Sequence, residues 1–222
     1  MKQKIYRLLI SSSILSLPGI FSIVLSLISI PVHLNIAGVV NYGNYIIFHF
    51  LLIISSVLNF GIGKSIAVSI NNYPKKNKEI SFQGIRYTFF VIIITLSFLI
   101  IFLKFNQLSF ISKLISAKLA SYVLFGIVLS ILYASLEGIF QGNRMFKFLS
   151  FFNFMFFSLA LSLPSLILLI YGDLSLKDLI IFSLIIKTLS ILFMVLFILT
   201  KNLMIKSNNQ ILFLNLKKNA RW

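Results

Sequence analysis

At 222 residues the chain could hold one or two domains, but it is 59% hydrophobic and 11% charged, with a mean hydropathy of +1.03. That balance leaves too little polar surface for a water-soluble fold. A net charge of +16, from twenty Lys and Arg against four Asp and Glu, would suggest nucleic acid in a soluble domain; here the charges collect between long apolar runs, and nucleic acid is excluded as a partner. Cysteine is absent, which excludes disulfides, thiolate metal sites and cysteine nucleophiles.

A bilayer core of about 30 Å needs about 20 apolar residues in a helix. In chain order the runs Leu8–Val32, Tyr45–Ala67, Tyr87–Leu103, Leu119–Ile139, Phe148–Tyr171 and Leu179–Thr200 meet or approach that length. They are continuously apolar, whereas barrel strands alternate over about 10 positions. The expected fold is an all-α integral membrane protein with six transmembrane helices in residues 1–200, followed by a cytoplasmic basic amphipathic tail, 201–222. The first run begins like a signal peptide, with Lys2, Lys4 and Arg7, but it is too long and no small-x-small cleavage site follows, so it is expected to stay as the first span. Pro18-Gly19 should kink it.

The connections are short. Asn71–Arg86 reads as an inner loop, because its Asn residues and Pro74 disfavour continuing the second helix. Ser109–Lys118 reads as a short helix lying in the outer interface, and Ser207–Trp222 as a membrane-surface strip with basic residues toward anionic headgroups. With the N-terminus cytoplasmic, the inner side carries Lys2, Lys4, Arg7, Lys64, Lys75, Lys76, Lys78, Arg86, Arg144, Lys147, Lys201, Lys206, Lys217, Lys218 and Arg221. The outer side receives Lys104, Lys113, Lys118 and Lys177. Fifteen against four sets the expected orientation, with both termini cytoplasmic.

Lys187 belongs to neither side. It lies about 12 Å below the outer end of the sixth run, and Ser183, Lys187 and Ser190 share one helix face. Such a lysine faces the bundle interior, either paired with a carboxylate or lining a pathway. On the second run His49 and Ser56 fall on one face with Gly63, Asn59 lies at its flank, and Lys64 follows near the inner end, where it can snorkel. Glu137 is the one carboxylate within a run, placed to pair with Arg144 or to accept a coupling proton. Two rows of small residues, Gly126, Ser130, Ala134, Gly138, Gly142 and the shorter Gly61, Ser65, Ser69, read as close-packing faces. Two histidines and four scattered carboxylates give no metal cluster, nucleotide loop or nucleophile-base arrangement, so neither an enzyme nor a cofactor is expected.

The stretch His33-Leu-Asn-Ile-Ala-Gly-Val-Val-Asn-Tyr-Gly-Asn-Tyr45, leading to Leu58-Asn-Phe-Gly-Ile-Gly-Lys-Ser65, resembles the first helix pair of bacterial polysaccharide flippases. These are O-antigen transporters within the multidrug, oligosaccharidyl-lipid and polysaccharide exporter superfamily. Tyr42-Gly43 and Gly61-Ile-Gly63 match the family's Tyr-Gly pair and Gly-x-Gly. Gln141-Gly142, Arg144 and Phe146 resemble its turn between the fourth and fifth helices, and Phe213–Trp222 is similar to the segment linking its two lobes.

The resemblance implies flipping of an undecaprenyl-diphosphate-linked O-antigen or other polysaccharide repeat unit across the bacterial inner membrane. Family members have two six-helix lobes, so the chain is expected to be the first lobe: a truncated product, a fragment or half of a two-chain assembly. Implied partners are the lipid-linked oligosaccharide, membrane lipids, a second lobe or chain, and polysaccharide polymerase and ligase machinery. Lys187, Lys64, Ser183 and Ser190 are the candidate substrate-binding residues, chosen on depth and helix face; Glu137, His49 and Arg144 are candidates for coupling or an ion pair. The alternatives are a non-transporting membrane subunit or decayed fragment, and a multi-span envelope polymerase or acyltransferase.

Overall fold

The computed structural model describes residues 2–55, 59–105, 117–172, 175–201 and 203. Within them the chain forms α1 (Lys2–Ser55), α2 (Ile62–Asn72), a 3₁₀ turn (Pro74–Lys76), α3 (Asn77–Phe105), α4 (Ala117–Gly142), α5 (Phe146–Asn153), a π-helical stretch (Phe154–Leu159), α6 (Ala160–Tyr171) and α7 (Leu176–Thr200). Five stretches are long and apolar enough to cross a membrane: Pro18–Ile54, Pro74–Ile101, Ala120–Gly142, Phe146–Tyr171 and Leu176–Thr200. Outward-facing Phe90, Ile93 and Phe98 are each about 60% exposed or more, an arrangement suited to lipid and not to water. Among the described residues the protein is all-helical, with the long apolar helices of a multi-pass membrane protein.

The first stretch is not one straight rod. Gly38 has φ 79° and ψ 163° inside α1, a conformation open in practice only to glycine. The His33 ring lies 5.1 Å from the rings of both Tyr42 and Tyr45, although twelve residues of straight helix would separate His33 and Tyr45 by about 18 Å. The chain therefore doubles back at Gly38, and α1 consists of two limbs, 2–37 and 39–55. Sequence patterning places a loop here, from residue 33 to 44. Instead helix continues on both sides of one glycine, because a single residue in this conformation reverses the chain without exposing a run of backbone amides.

The second run also departs from expectation. It does not continue as one helix from Tyr45 to Ala67: Phe60 and Gly61 both take positive φ, 49° and 72°, and α2 starts afresh at Ile62. The Asn59 side chain accepts from the Gly61 N–H at 2.8 Å, stabilising this break. Conversely, α3 begins ten residues before Tyr87. Turn chemistry is confined to Tyr73–Lys76, and Glu79 sits in the first turn of α3, where a carboxylate favours the positive helix end. The boundaries from Leu103 onward agree within about three residues, whereas the first run is longer than expected: its limb starts at residue 2, six before Leu8, and reaches 37, five past Val32.

Helix ends have local causes. At α7, Ser175 and Asp178 form a capping box: Ser175 Oγ accepts from the Asp178 N–H at 3.3 Å, and Asp178 Oδ2 accepts from the Ser175 N–H at 3.1 Å. At the end of α4, Met145 N–H donates to Phe140 O at 2.9 Å and Arg144 N–H to Gln141 O at 3.0 Å, with Arg144 at φ 57°. That is a Schellman turn with an arginine where glycine is usual. Paired side-chain amides of Asn77 and Asn143 tie this turn to the start of α3.

The central helix is α4, which contacts α2, α3, α7 and the second limb of α1. Gly126 abuts Leu52, Gly138 abuts Gly63, and Gly142 abuts Ile70, so the second limb and α2 follow α4 in parallel. The Gly126–Gly142 row is thus a packing face, as its spacing predicts. On α2 the contacting glycine is Gly63, not Gly61; nothing lies within 4 Å of the position of a Cβ on Gly61, whose role is its backbone conformation. The other half of the bundle joins α1 to α5, the π stretch and α6, and these to α7. Ser56, most of Ser109–Lys118 and Ser207–Trp222 lie outside the described residues.

Candidate functional site

A column of polar side chains runs through the apolar interior between α1, α6 and α7. It begins at His33, wholly buried, whose Nδ1 lies 2.7 Å from Ser165 Oγ on α6; Nε2 has no hydrogen-bond partner among the described residues. Next comes Tyr45, whose single hydroxyl proton is shared between the carbonyls of Ala160 and Leu161, at 3.1 and 2.9 Å. The reason lies in sequence: Pro164 in α6 has no N–H for the carbonyl four residues earlier, which is Ala160. A free carbonyl in an apolar interior costs several kcal/mol, and the tyrosine satisfies it from another helix.

His49 follows, one turn along, edge-on to Tyr45 at 4.7 Å and with Nε2 3.3 Å from Ser183 Oγ. Ser183, Lys187 and Ser190 do share one buried face, at 0%, 3% and 0% exposure. Lys187 stands eleven residues from the start of α7 and thirteen from its end, in mid-span. Its ammonium donates to Phe156 O at 3.2 Å and sits 4.2 Å from the centre of the Phe156 ring. Ser190 Oγ lies 3.5 Å from Phe152 O. Both carbonyls belong to the widened π turn or its approach, where the shifted backbone register leaves acceptors to be met from outside. The Phe156 ring is held from behind by Tyr133, stacked at 3.9 Å. The lysine is thus held by a carbonyl and by aromatic faces, and among the described residues no carboxylate pairs with it.

A second polar place lies between α2 and α4. The break before α2 opens a cleft of about 360 Å³ lined by Asn59, Gly61, Gly63 and Lys64 on one wall and by Ala134, Glu137, Gly138 and Gln141 on the other. Glu137 Oε1 accepts from Gln141 Nε2 at 2.9 Å. Lys64 is exposed.

The seven residues singled out by sequence therefore divide. His49, Ser183, Lys187 and Ser190 meet in the column; Lys64 and Glu137 meet in the cleft; Arg144 holds the turn after α4. Lys64 does not join Lys187 in one cavity, since the cleft's lining includes Lys64 and Glu137 but not Lys187, and the stripe from His49 to Gly63 is cut by the helix break. Sequence reasoning missed His33, Tyr45 and Ser165, although Pro164 marked a carbonyl in need of a donor. In comparisons with protein-family models, curated proteins and solved structures, nothing matches the chain.

Proposed function

We propose that the chain is the N-terminal six-helix lobe of a flippase that moves undecaprenyl-diphosphate-linked saccharide units from the inner to the outer leaflet of a bacterial inner membrane. The observation that carries this reading is Lys187, buried at mid-span with no carboxylate partner among the described residues. Ionisable groups at that depth are costly and mark pathways for charged cargo. The six crossings are the first limb of α1, its second limb together with α2, then α3, α4, α5 through α6, and α7. Fifteen basic residues on one side put both termini in the cytoplasm.

The chemistry follows from the cargo. A pyrophosphate and a glycan cannot enter hydrocarbon unaided, and a lysine offers a compact cation with three donors. In the closed arrangement Phe156 occupies that cation. The second limb of α1, bounded by Gly38 and by Phe60-Gly61, carries Tyr45 and His49 away from α6 and α7 when it swings, which opens Ser183 and Lys187 to the pyrophosphate. Of the three residues considered for coupling, His49 is the one inside this column.

Loss of the gene should accumulate lipid-linked repeat units on the cytoplasmic leaflet, read with a membrane-impermeant lectin in inverted against right-side-out vesicles. Lys187→Ala should reproduce the accumulation. Normal leaflet distribution in the deletion strain sinks the flippase reading; a normal distribution in Lys187→Ala alone sinks the assignment of the lysine.

A further inference from the structure

The transport reading leaves the cleft between α2 and α4 unused. Its walls bear opposite charges, Lys64 on α2 and Glu137 on α4. Gln141 holds one oxygen of Glu137 at 2.9 Å, which fixes the carboxylate and leaves the second oxygen as an acceptor. Gly63 and Gly138 form the floor, where the two backbones touch and no Cβ fits. A simple anion would meet the repulsion of Glu137, and a simple cation that of Lys64. A group carrying both charges complements both walls.

Depth narrows the choice further. Glu137 is five residues from Gly142 at the end of α4, about 7 Å along the axis. The headgroup layer on each side of a bilayer is about 5–8 Å thick. The cleft therefore opens where hydrocarbon gives way to headgroups.

We propose that this cleft binds a phosphoethanolamine zwitterion, its phosphate toward Lys64 and its ammonium donating to Glu137. Two sources carry that chemistry: the headgroup of a phosphatidylethanolamine and a soluble phosphoethanolamine ester. The cleft's depth favours the lipid. The first-turn amides of α2, which no side chain among the described residues caps, add donors on the phosphate side. This inference is independent of transport, since it concerns equilibrium binding outside the Lys187 column.

The full chain, purified in detergent, is titrated with phosphatidylethanolamine, phosphatidylcholine or phosphatidylglycerol and examined by native mass spectrometry. Phosphatidylethanolamine should bind at least tenfold more tightly than phosphatidylcholine, whose quaternary nitrogen has no N–H for Glu137, and than phosphatidylglycerol, which has no cation. Lys64→Ala and Glu137→Gln should each weaken it by about tenfold, equivalent to about 1.4 kcal/mol. Free phosphoethanolamine should displace the lipid; failure to compete would mean that the headgroup is not what the cleft recognises. Equal binding of phosphatidylglycerol, or retention unchanged in Lys64→Ala, overturns the proposal. Lys64 is exposed and outside the core, so that variant decides the matter even if Glu137→Gln does not fold.

Discussion

The ammonium of Lys187 lies 3.2 Å from the Phe156 carbonyl and 4.2 Å from the centre of the Phe156 ring, so one residue of the widened helix supplies its hydrogen bond and its nearest aromatic face. This pairing makes stability and function separable. Lys187→Met keeps the volume and removes the cost of burying a charge, so the thermal midpoint in detergent should be unchanged or raised. Lys187→Ala leaves a cavity and should cost about 2–5 kcal/mol, as large buried side chains do on truncation. Both should lose whatever activity needs the cation. A Lys187→Met protein that is much less stable and also inactive would mean that the lysine is structural.

Tyr45 and Pro164 should be energetically coupled. Tyr45→Phe removes the donor to Ala160 O and leaves that carbonyl unsatisfied, at about 1–3 kcal/mol. Pro164→Ala restores an N–H within α6. In that background Tyr45→Phe should cost less by about 1 kcal/mol, measured as a double-mutant cycle in unfolding by denaturing detergent. Additive losses would show that the tyrosine does not serve the proline's free carbonyl.

The glycines should respond unequally. A Cβ on Gly63 or Gly138 would overlap the backbone of the facing helix, and Gly63→Ala or Gly138→Ala should cost about 1–3 kcal/mol through separation of α2 from α4. Gly43→Ala lies in helix with nothing within 4 Å and should be neutral or stabilising by up to about 1 kcal/mol. Thermal midpoints of the three variants rank the effect, and a Gly63→Ala protein as stable as Gly43→Ala would contradict the backbone contact.

Arg144 occupies a left-handed position, φ 57°, that costs a side-chain-bearing residue about 1–2 kcal/mol. Arg144→Gly should therefore raise the unfolding midpoint while Arg144→Val lowers it. If Arg144→Gly is destabilised, the guanidinium contributes more than the turn costs.

Because the native chain has no cysteine, single replacements report accessibility directly. Lys64→Cys should react quickly with a maleimide and Ser183→Cys, at a wholly buried position, at least tenfold more slowly. Equal rates would show that the column opens to solvent in the resting protein.

Composition alone set the class of this protein, since a chain so apolar has to sit in lipid and has to pair its backbone amides within helices. Run lengths located most helix boundaries, and the spacing of Ser183, Lys187 and Ser190 identified one buried face, because a helix repeats its faces every three to four residues. Periodicity is a property of one continuous helix, however, and it fails where the helix is interrupted. Gly38 and Phe60-Gly61 carry no hydrophobic signal that separates a reversal or a break from an ordinary loop or an unbroken span. The tertiary structure decided these, and with them that Lys64 and Glu137 share a cleft while Lys187 joins His49 and Tyr45 in the column between α1, α6 and α7. Such meetings depend on which helices touch, and in an apolar interior that is settled by glycine contacts and unsatisfied carbonyls, which only the assembled bundle brings face to face.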